Sequence, residues 1–152
     1  MQKITTFLTY DNQAEEAARL YTSIFPGSKI VSTMRSGANG PVMSVTFELF
    51  GQQHIALNGG PTFTFSQGIS LFVSCDTQEE VDTYWEKLTE GGKPVQCGWL
   101  VDRFGVSWQI IPKILGELLS DPDPARAGRA MQAMMKMVKL DIAALKRAAE
   151  GG

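Results

Sequence analysis

The sequence is poor in the residues on which most catalytic and metal-binding motifs depend. It has one histidine, His54, in 152 residues, so a Ser-His-Asp or Cys-His mechanism would have to use it. Its two cysteines, Cys75 and Cys97, are too few for a disulfide scaffold. We expect both to be reduced in the cytoplasm, because the N-terminal residues are typical of a strand and not of an export signal. The sequence also lacks a Walker A loop, GxGxxG after a strand, HExxH, paired CxxC and GxSxG.

Neither charge nor hydropathy indicates a nucleic acid or a membrane as partner. The net charge of -2 argues against a basic binding surface. No apolar run approaches the roughly 20 residues that a membrane-spanning helix needs. With 43% hydrophobic and 20% charged residues, the composition is that of an ordinary soluble globular protein.

The sequence contains an internal repeat. The segment DNQAEEAARLYTSIFPGSKIV after Tyr10 is echoed by DTQEEVDTYWEKLTEGGKPVQ after Cys75. Past one inserted residue the offset is a steady 64, so that Tyr21 matches Trp85 and Gly27 matches Gly91. An alternating apolar run precedes each copy, which predicts two related strand–helix–strands units.

Each half is predicted to fold as a βαβββ module. In the first, a strand over residues 2–10 leads to a helix capped by Asn12 with Glu15. In the second, Thr77 with Glu80 caps the corresponding helix. The remaining predicted strands are Lys29–Met34, Val42–Phe50, Gln52–Asn58, Ile69–Cys75, Pro94–Val101 and Val106–Pro112. We therefore predict an α+β protein with residues 1–112 as one domain of paired modules, 1–60 and 67–112.

Residues 113–152 are predicted to form a helical C-terminal extension, in which Asp123 and Asp141 cap helices. Met131, Met134, Met135 and Val138 are predicted to line one side of a helix. We favour docking of this side on the sheet or on a second subunit. The alternative is a promiscuous binding surface that recruits another protein.

Single residues with catalytic potential have simpler structural interpretations. His54 is interpreted as a partly exposed strand histidine, with a catalytic base as the alternative. For Cys97 we favour a small buried residue near a pocket over a nucleophile, because no basic residue neighbours it in sequence. Asp102 and Arg103 are expected to pair locally or with the tail, and a substrate-carboxylate clamp by Arg103 is the alternative.

With ALNGGP closing the first module and QCGWLVDRFGVSWQIIP closing the second, the chain resembles the PhnB-like, demethylubiquinone methyltransferase-like branch of the vicinal oxygen chelate (glyoxalase/bleomycin-resistance) superfamily. The resemblance implies two modules whose curved mixed sheets surround a cavity. It also places the metal-ligand positions of the superfamily's enzymes at Thr5, Ala56, Ser70 and Gln109. Because these side chains are neutral, we expect no metal and no cofactor. A methyltransferase cofactor site is not expected either, since the chain lacks the glycine-rich turn of a doubly wound sheet.

The function predicted from the sequence is metal-free binding of a small organic ligand by a cytoplasmic homodimer, with the ligand in the cavity between the modules. The alternative is a metal-independent enzyme that uses His54 or Cys97. Ile111 is expected to add apolar contact, and the predicted ligand-binding residues are Thr5, Phe7, Asn58, Ser70, Phe72, Trp99 and Gln109.

Overall fold

The two halves of the sequence fold as two units. The computed structural model describes residues 2–152, and the chain divides into compact units after Thr64. The first unit contains β1 Thr6–Tyr10, α1 Ala14–Ile24, β2 Lys29–Arg35, β3 Val42–Leu49 and β4 Gln52–Asn58. The second contains β5 Leu71–Cys75, α2 Gln78–Thr89, β6 Lys93–Pro94, β7 Trp99–Val101, β8 Ser107–Pro112, α3 Lys113–Leu119, α4 Pro124–Met135 and α5 Ile142–Glu150. The predicted α+β class, the twin βαβββ modules and the helical tail are confirmed.

Each module forms one four-stranded mixed sheet. The strand orders are β1-β4-β3-β2 and β5-β8-β7-β6. In both sheets the first and last strands of the module are parallel neighbours, and the other pairs are antiparallel. Phe7 is paired with Ile55 in the first sheet, and Phe72 with Gln109 in the second. Among residues 2–152 no helix is long and apolar enough to cross a bilayer.

One face of the first sheet is covered by α1. The helix buries a stripe of mostly small residues, which lets it pack closely on the sheet: Ala14, Ala17, Ala18, Tyr21 and Ile24. The predicted Asn12 cap is wrong, since the N-cap is Gln13 and its side chain makes no capping bond. Instead Asn58 Oδ1 accepts from the Ala14 N–H at 2.8 Å, and its Nδ2 donates to the Val42 carbonyl at 3.0 Å. A strand residue therefore satisfies the start of the helix and ties β4 to β3.

His54 lies on this helix-covered face. Its side chain is buried, and its ring stacks on Phe47 with the centroids 5.3 Å apart. Its Nδ1 lies 3.0 Å from the Gln52 carbonyl. Burial disfavours the charged imidazolium and lowers the pKa of His54 below 6.5, although the Gln52 hydrogen bond acts in the opposite direction. The expectation of a partly exposed histidine is thus wrong, because Phe47 and its helix-side neighbours enclose the ring.

In the second unit α2 packs on its sheet through Val81, Tyr84 and Leu88, and the predicted capping box of Thr77 and Glu80 is confirmed. The predicted single strand Pro94–Val101 is interrupted by a turn, since Val95 N–H bonds to the Trp99 carbonyl and Trp99 N–H to the Gln96 carbonyl. Cys97 and Gly98 in this turn both have positive φ, 61° and 85°.

Asp102 organises the turn between β7 and β8. The buried carboxylate accepts three hydrogen bonds: Oδ1 from the N–H groups of Phe104 and Val106, and Oδ2 from Trp108 Nε1 at 2.9 Å. These bonds agree with the expected local pairing of Asp102, and the Arg103 guanidinium lies over the Phe104 ring, 6.0 Å from its centroid. The carboxylate therefore fixes the first residues of β8.

The C-terminal helices pack on the second module within the same unit. Their core is formed by Ile111 of β8 with Leu115, Leu118, Ala130, Leu140, Leu145 and Ala149. Cys97 and Gly98 N–H groups donate to the Met137 and Val138 carbonyls, and Lys139 pairs with Asp82 at 2.7 Å. The predicted methionine side is divided: Met134 packs inward, whereas Met131, Met135 and Val138 are exposed.

Replacement of His54 by Phe is expected to make stability less sensitive to mild acid. As pH falls below 6.5, the unfolded chain gains a proton on His54 while the folded chain resists protonation, so the wild type loses stability. The His54→Phe variant keeps a ring on Phe47 but cannot titrate. Urea unfolding between pH 6.5 and about 5 should show a shallower decline for the variant. Because the chain has no other histidine, equal slopes would contradict the assignment.

Removal of the Asp102 carboxylate should strongly destabilise the second unit. Asp102→Ala removes the acceptor of Trp108 Nε1 and of two backbone N–H groups, which we expect to cost about 3 kcal/mol or more. Asp102→Asn keeps an acceptor for the backbone but not for Trp108, so its loss should be smaller. Urea unfolding followed by tryptophan fluorescence measures both. Exposed Asp76→Ala is the control, expected within about 0.5 kcal/mol of wild type.

Candidate functional site

Each sheet has a second face that its own helix does not cover, and we call this its open face. In the first sheet the open face carries Thr5, Phe7 and Thr9 from the β1 side and Ile55 and Leu57 from β4. Phe7 is 54% exposed and the other four are half-buried. This surface is mainly apolar, with two threonine side chains beside it.

The structure corrects one of the positions that the resemblance assigned on this sheet. Ala56 is fully buried and belongs to the helix-covered face together with His54 and Asn58. Its neighbour Ile55, paired with Phe7, holds the open-face position. A shift of one residue along a strand transfers a side chain to the opposite face, and the sequence alone did not fix that register. Asn58 lies on the helix-covered face as well, where both ends of its amide are hydrogen-bonded.

The open face of the second sheet combines a polar pair with two aromatic rings. Gln109 Nε2 donates to Ser70 Oγ at 2.9 Å. The register places Phe72 on one side of Gln109 and Trp99 on the other, so the three side chains form a row across β5, β8 and β7. Phe72 is 61% exposed, and Trp99 is half-buried. Four predicted residues, Ser70, Phe72, Trp99 and Gln109, are therefore brought together on one face.

Ser107 adds a polar atom that sequence reasoning missed. It precedes Gln109 by two residues on β8 and so projects from the same face. Its Oγ is buried and has no hydrogen-bond partner among residues 2–152. Strand alternation with Gln109 could have indicated its direction, but not its burial. Ile111 projects from this face too, yet the tail covers it, so it is not available for the apolar contact that we expected.

The open-face residues do not fit a resident transition metal. The side chains at the corresponding positions are those of Thr5, Ile55, Ser70 and Gln109. They offer no imidazole, thiolate or carboxylate, and neutral oxygens alone bind such ions weakly. Within residues 2–152 no group of three or more His, Cys, Asp and Glu side chains is placed to hold a metal ion.

The residues considered for catalysis are each held by structural contacts within their own unit. His54 belongs to the first unit and faces α1, where its ring is enclosed. Cys97 belongs to the second unit, half-buried in the turn whose backbone binds the tail. The other cysteine, Cys75, is a poor nucleophile, because burial, together with the nearby Glu80 and Asp76 carboxylates, raises the pKa of its thiol to about 12.

Comparison with known proteins identifies relatives of both modules. The family described as 3-demethylubiquinone-9 3-methyltransferase matches residues 2–111. A solved structure from Bacillus cereus, described as a putative 3-demethylubiquinone-9 3-methyltransferase, PhnB protein, is 41% identical, with a TM-score of 0.68. The match covers 73% of this chain and 99% of that one. No curated protein matches the chain.

More distant structures share the fold. Protein PA1353 from Pseudomonas aeruginosa is 19% identical, with a TM-score of 0.63 and coverage of 74% of this chain and 98% of that one. The fosfomycin resistance protein FosX from Listeria monocytogenes, solved with Mn(II) and sulfate, is 15% identical, with a TM-score of 0.53 and coverage of 70% and 88%.

The family match spans most of the chain, and the Bacillus cereus relative is covered almost completely. The two βαβββ sheets agree with the fold of these structures. The chain therefore belongs to the PhnB-like, 3-demethylubiquinone-9 3-methyltransferase family, and its fold is that of the vicinal oxygen chelate superfamily.

Proposed function

We propose that this chain binds a neutral aromatic small molecule on the open face of its second sheet, without the help of a metal ion. The observation that carries the proposal is the hydrogen-bonded pair of Gln109 and Ser70, set between the rings of Phe72 and Trp99. Small-molecule sites typically combine a small number of convergent polar groups with apolar and aromatic side chains.

The polar pair offers a ligand both an acceptor and a donor. Gln109 uses one amide N–H on Ser70, and no residue in the described chain bonds to its Oε1, which can accept a proton from a ligand. Ser70 Oγ accepts from Gln109, so its own proton can be donated elsewhere. Neither group carries a charge, which favours a hydroxyl or carbonyl on the ligand over a carboxylate or an ammonium.

The aromatic side chains provide most of the binding energy in this proposal. A large apolar side chain such as Phe72, 61% exposed, leaves a substantial apolar area in contact with water. Covering a ring of this size contributes about 2 kcal/mol. A planar ligand that stacks between Phe72 and Trp99 removes this apolar area from water. Its binding is also favoured by the stacked or edge-to-face geometry that aromatic pairs prefer.

The first sheet offers a similar but less polar surface. Phe7, Ile55 and Leu57 provide apolar contact there, and Thr5 lies at its edge. We propose that this face binds ligands of the same class through apolar contact, with Thr5 as its polar group. The proposed setting is the cytoplasm, where Cys75 and Cys97 stay as the free thiols found in the structure.

Methyl transfer, which the family description names, is not part of the proposal. Methyltransferases that use S-adenosylmethionine commonly bind it at a glycine-rich strand–helix turn of a parallel sheet. Both sheets here are mixed, and their strand–helix connections, residues 11–13 and 76–77, contain no glycine. The enzymatic alternative through His54 or Cys97 has no support from their positions.

A pair of probes that differ by one hydroxyl tests the role of Gln109. We expect 2-naphthol to bind the wild type about tenfold more tightly than naphthalene, since one hydrogen bond contributes about 1.4 kcal/mol. Gln109→Ala should remove this preference and leave naphthalene affinity nearly unchanged. Quenching of tryptophan fluorescence, checked by native mass spectrometry, measures both.

The matched control is Gln132→Ala, an exposed glutamine of α4 outside the site, which should keep the preference for naphthol. Failure of both probes to bind the wild type would contradict the proposed site. If wild type and Gln109→Ala prefer 2-naphthol over naphthalene to the same extent, Gln109 does not bind the hydroxyl.

Metal removal is expected to leave binding unchanged. We predict the same 2-naphthol affinity before and after dialysis against EDTA, and no gain on addition of Zn²⁺, Mn²⁺ or Ni²⁺, because the open face has no strong metal ligand. Calorimetric titration with metal analysis of the same sample measures this. A loss of affinity after chelation that one of these ions restores would overturn the metal-free part of the proposal.

A further inference from the structure

Helix α4 exposes a row of residues that no part of the described chain covers. Pro124, Gly128, Met131 and Met135 recur at spacings of four and three, so they lie along one side of the helix, and exposed Val138 follows three residues after the helix ends. We call this row the α4 stripe. Met131 is 41% exposed, Met135 61% and Val138 41%, whereas Ala130 on the opposite side is fully buried in the tail core.

The α4 stripe lies outside the part of the chain that defines the family. The family match ends at residue 111, before the tail begins. The Bacillus cereus relative is covered over 99% of its length by 73% of this chain. A function of the stripe is therefore independent of the binding site proposed for the modules.

We propose that the α4 stripe is a self-association surface, on which α4 of a second copy docks antiparallel. A twofold axis between residues 129 and 130 sets the register: Gly128 faces Met131 of the second copy, and Pro124 faces its Met135. Each methionine then meets a residue with little side-chain volume. Nothing lies within 4 Å of the position that a Gly128 Cβ would occupy, so the side chain of a second helix can enter there.

The charges at the two ends of the stripe select this orientation. Asp121 and Asp123 precede the helix, and Lys136 and Lys139 follow it. An antiparallel pair brings unlike charges together, whereas a parallel pair would bring like charges together. In the proposed register Asp123 faces Lys136 of the second copy. Lys136 is exposed and has no ion-pair partner among residues 2–152, in contrast to Arg126 and Lys139, which pair with Asp121 and Asp82.

The small area of the proposed α4–α4 contact determines how strongly two copies should associate. The area buried between two helices of about three turns each lies at the low end of the range for specific interfaces. We therefore expect a reversible, concentration-dependent association. Methionine suits such a surface because its flexible side chain adapts to the facing helix.

Disulfide capture between two variants, each with one introduced cysteine and with buried Cys75 retained, tests the register. Gly128→Cys and Met131→Cys are each made with Cys97→Ser, so that the half-buried native thiol does not compete. Mixed and mildly oxidised, they should form mainly the mixed disulfide dimer, identified by intact mass, severalfold above either homodimer. Gly128→Cys mixed with Gln132→Cys is the control, since Gln132 lies on the same helix beside the stripe. If the mixed dimer forms no more readily than the dimer of the control pair, the proposed register is wrong.

Sedimentation equilibrium tests the association itself. Met131→Lys places a charge at the centre of the paired helices and should halve the mass of the associated species, while Gln132→Lys should not change it. Far-UV circular dichroism confirms that both variants are folded. A Met131→Lys mass equal to wild type would overturn the proposal. The proposal would also be overturned if the wild type stays monomeric but binds phosphatidylglycerol vesicles, and Met131→Lys abolishes that binding.

Discussion

The candidate site depends on the parallel pairing of β5 with β8. This register puts Phe72 beside Gln109, and the antiparallel pairing of β7 adds Trp99 to the same row. Asp102 holds the start of β8 through its hydrogen bond with Trp108 on the helix-covered face. This bond therefore also fixes the position of Gln109, the next residue, on the open face. A slip of one residue would bury Gln109 under α2 and expose Trp108 or Ile110. The polar pair with Ser70 exists only in the observed register.

Local sequence signals predicted most of the fold. The capping box of Thr77 with Glu80 and the Asp123 and Asp141 caps all depend on residues a few positions apart, and all three are confirmed. The repeat predicted the twin modules because both copies carry the same order of local signals. Of the predicted ligand residues, Ser70, Phe72, Trp99 and Gln109 are adjacent in the structure because strand alternation and the pairing of β5 with β8 act together.

The errors arose where residues distant in sequence decide the local structure. Asn58 was predicted to bind ligand, but its amide serves the N-terminus of α1, a contact across 44 positions. The strand Pro94–Val101 is interrupted by a turn, in which the Cys97 and Gly98 N–H groups donate to carbonyls of the tail. Ile111 was assigned to the pocket, and the tail covers it. No pattern within a single element contains this information, since each outcome depends on which segment packs against it.

The two modules show how a duplicated fold can diverge in chemistry while its geometry stays the same. Phe7 and Phe72 occupy corresponding positions on the first strand of each module, but their partners are Ile55 in one sheet and Gln109 in the other. A change at this single paired position makes one open face almost wholly apolar and gives the other a hydrogen-bonding centre. Because the side chain points away from the helix-packed core, such a change costs the fold little. Binding specificity can therefore evolve on the open faces while the buried faces preserve the structure.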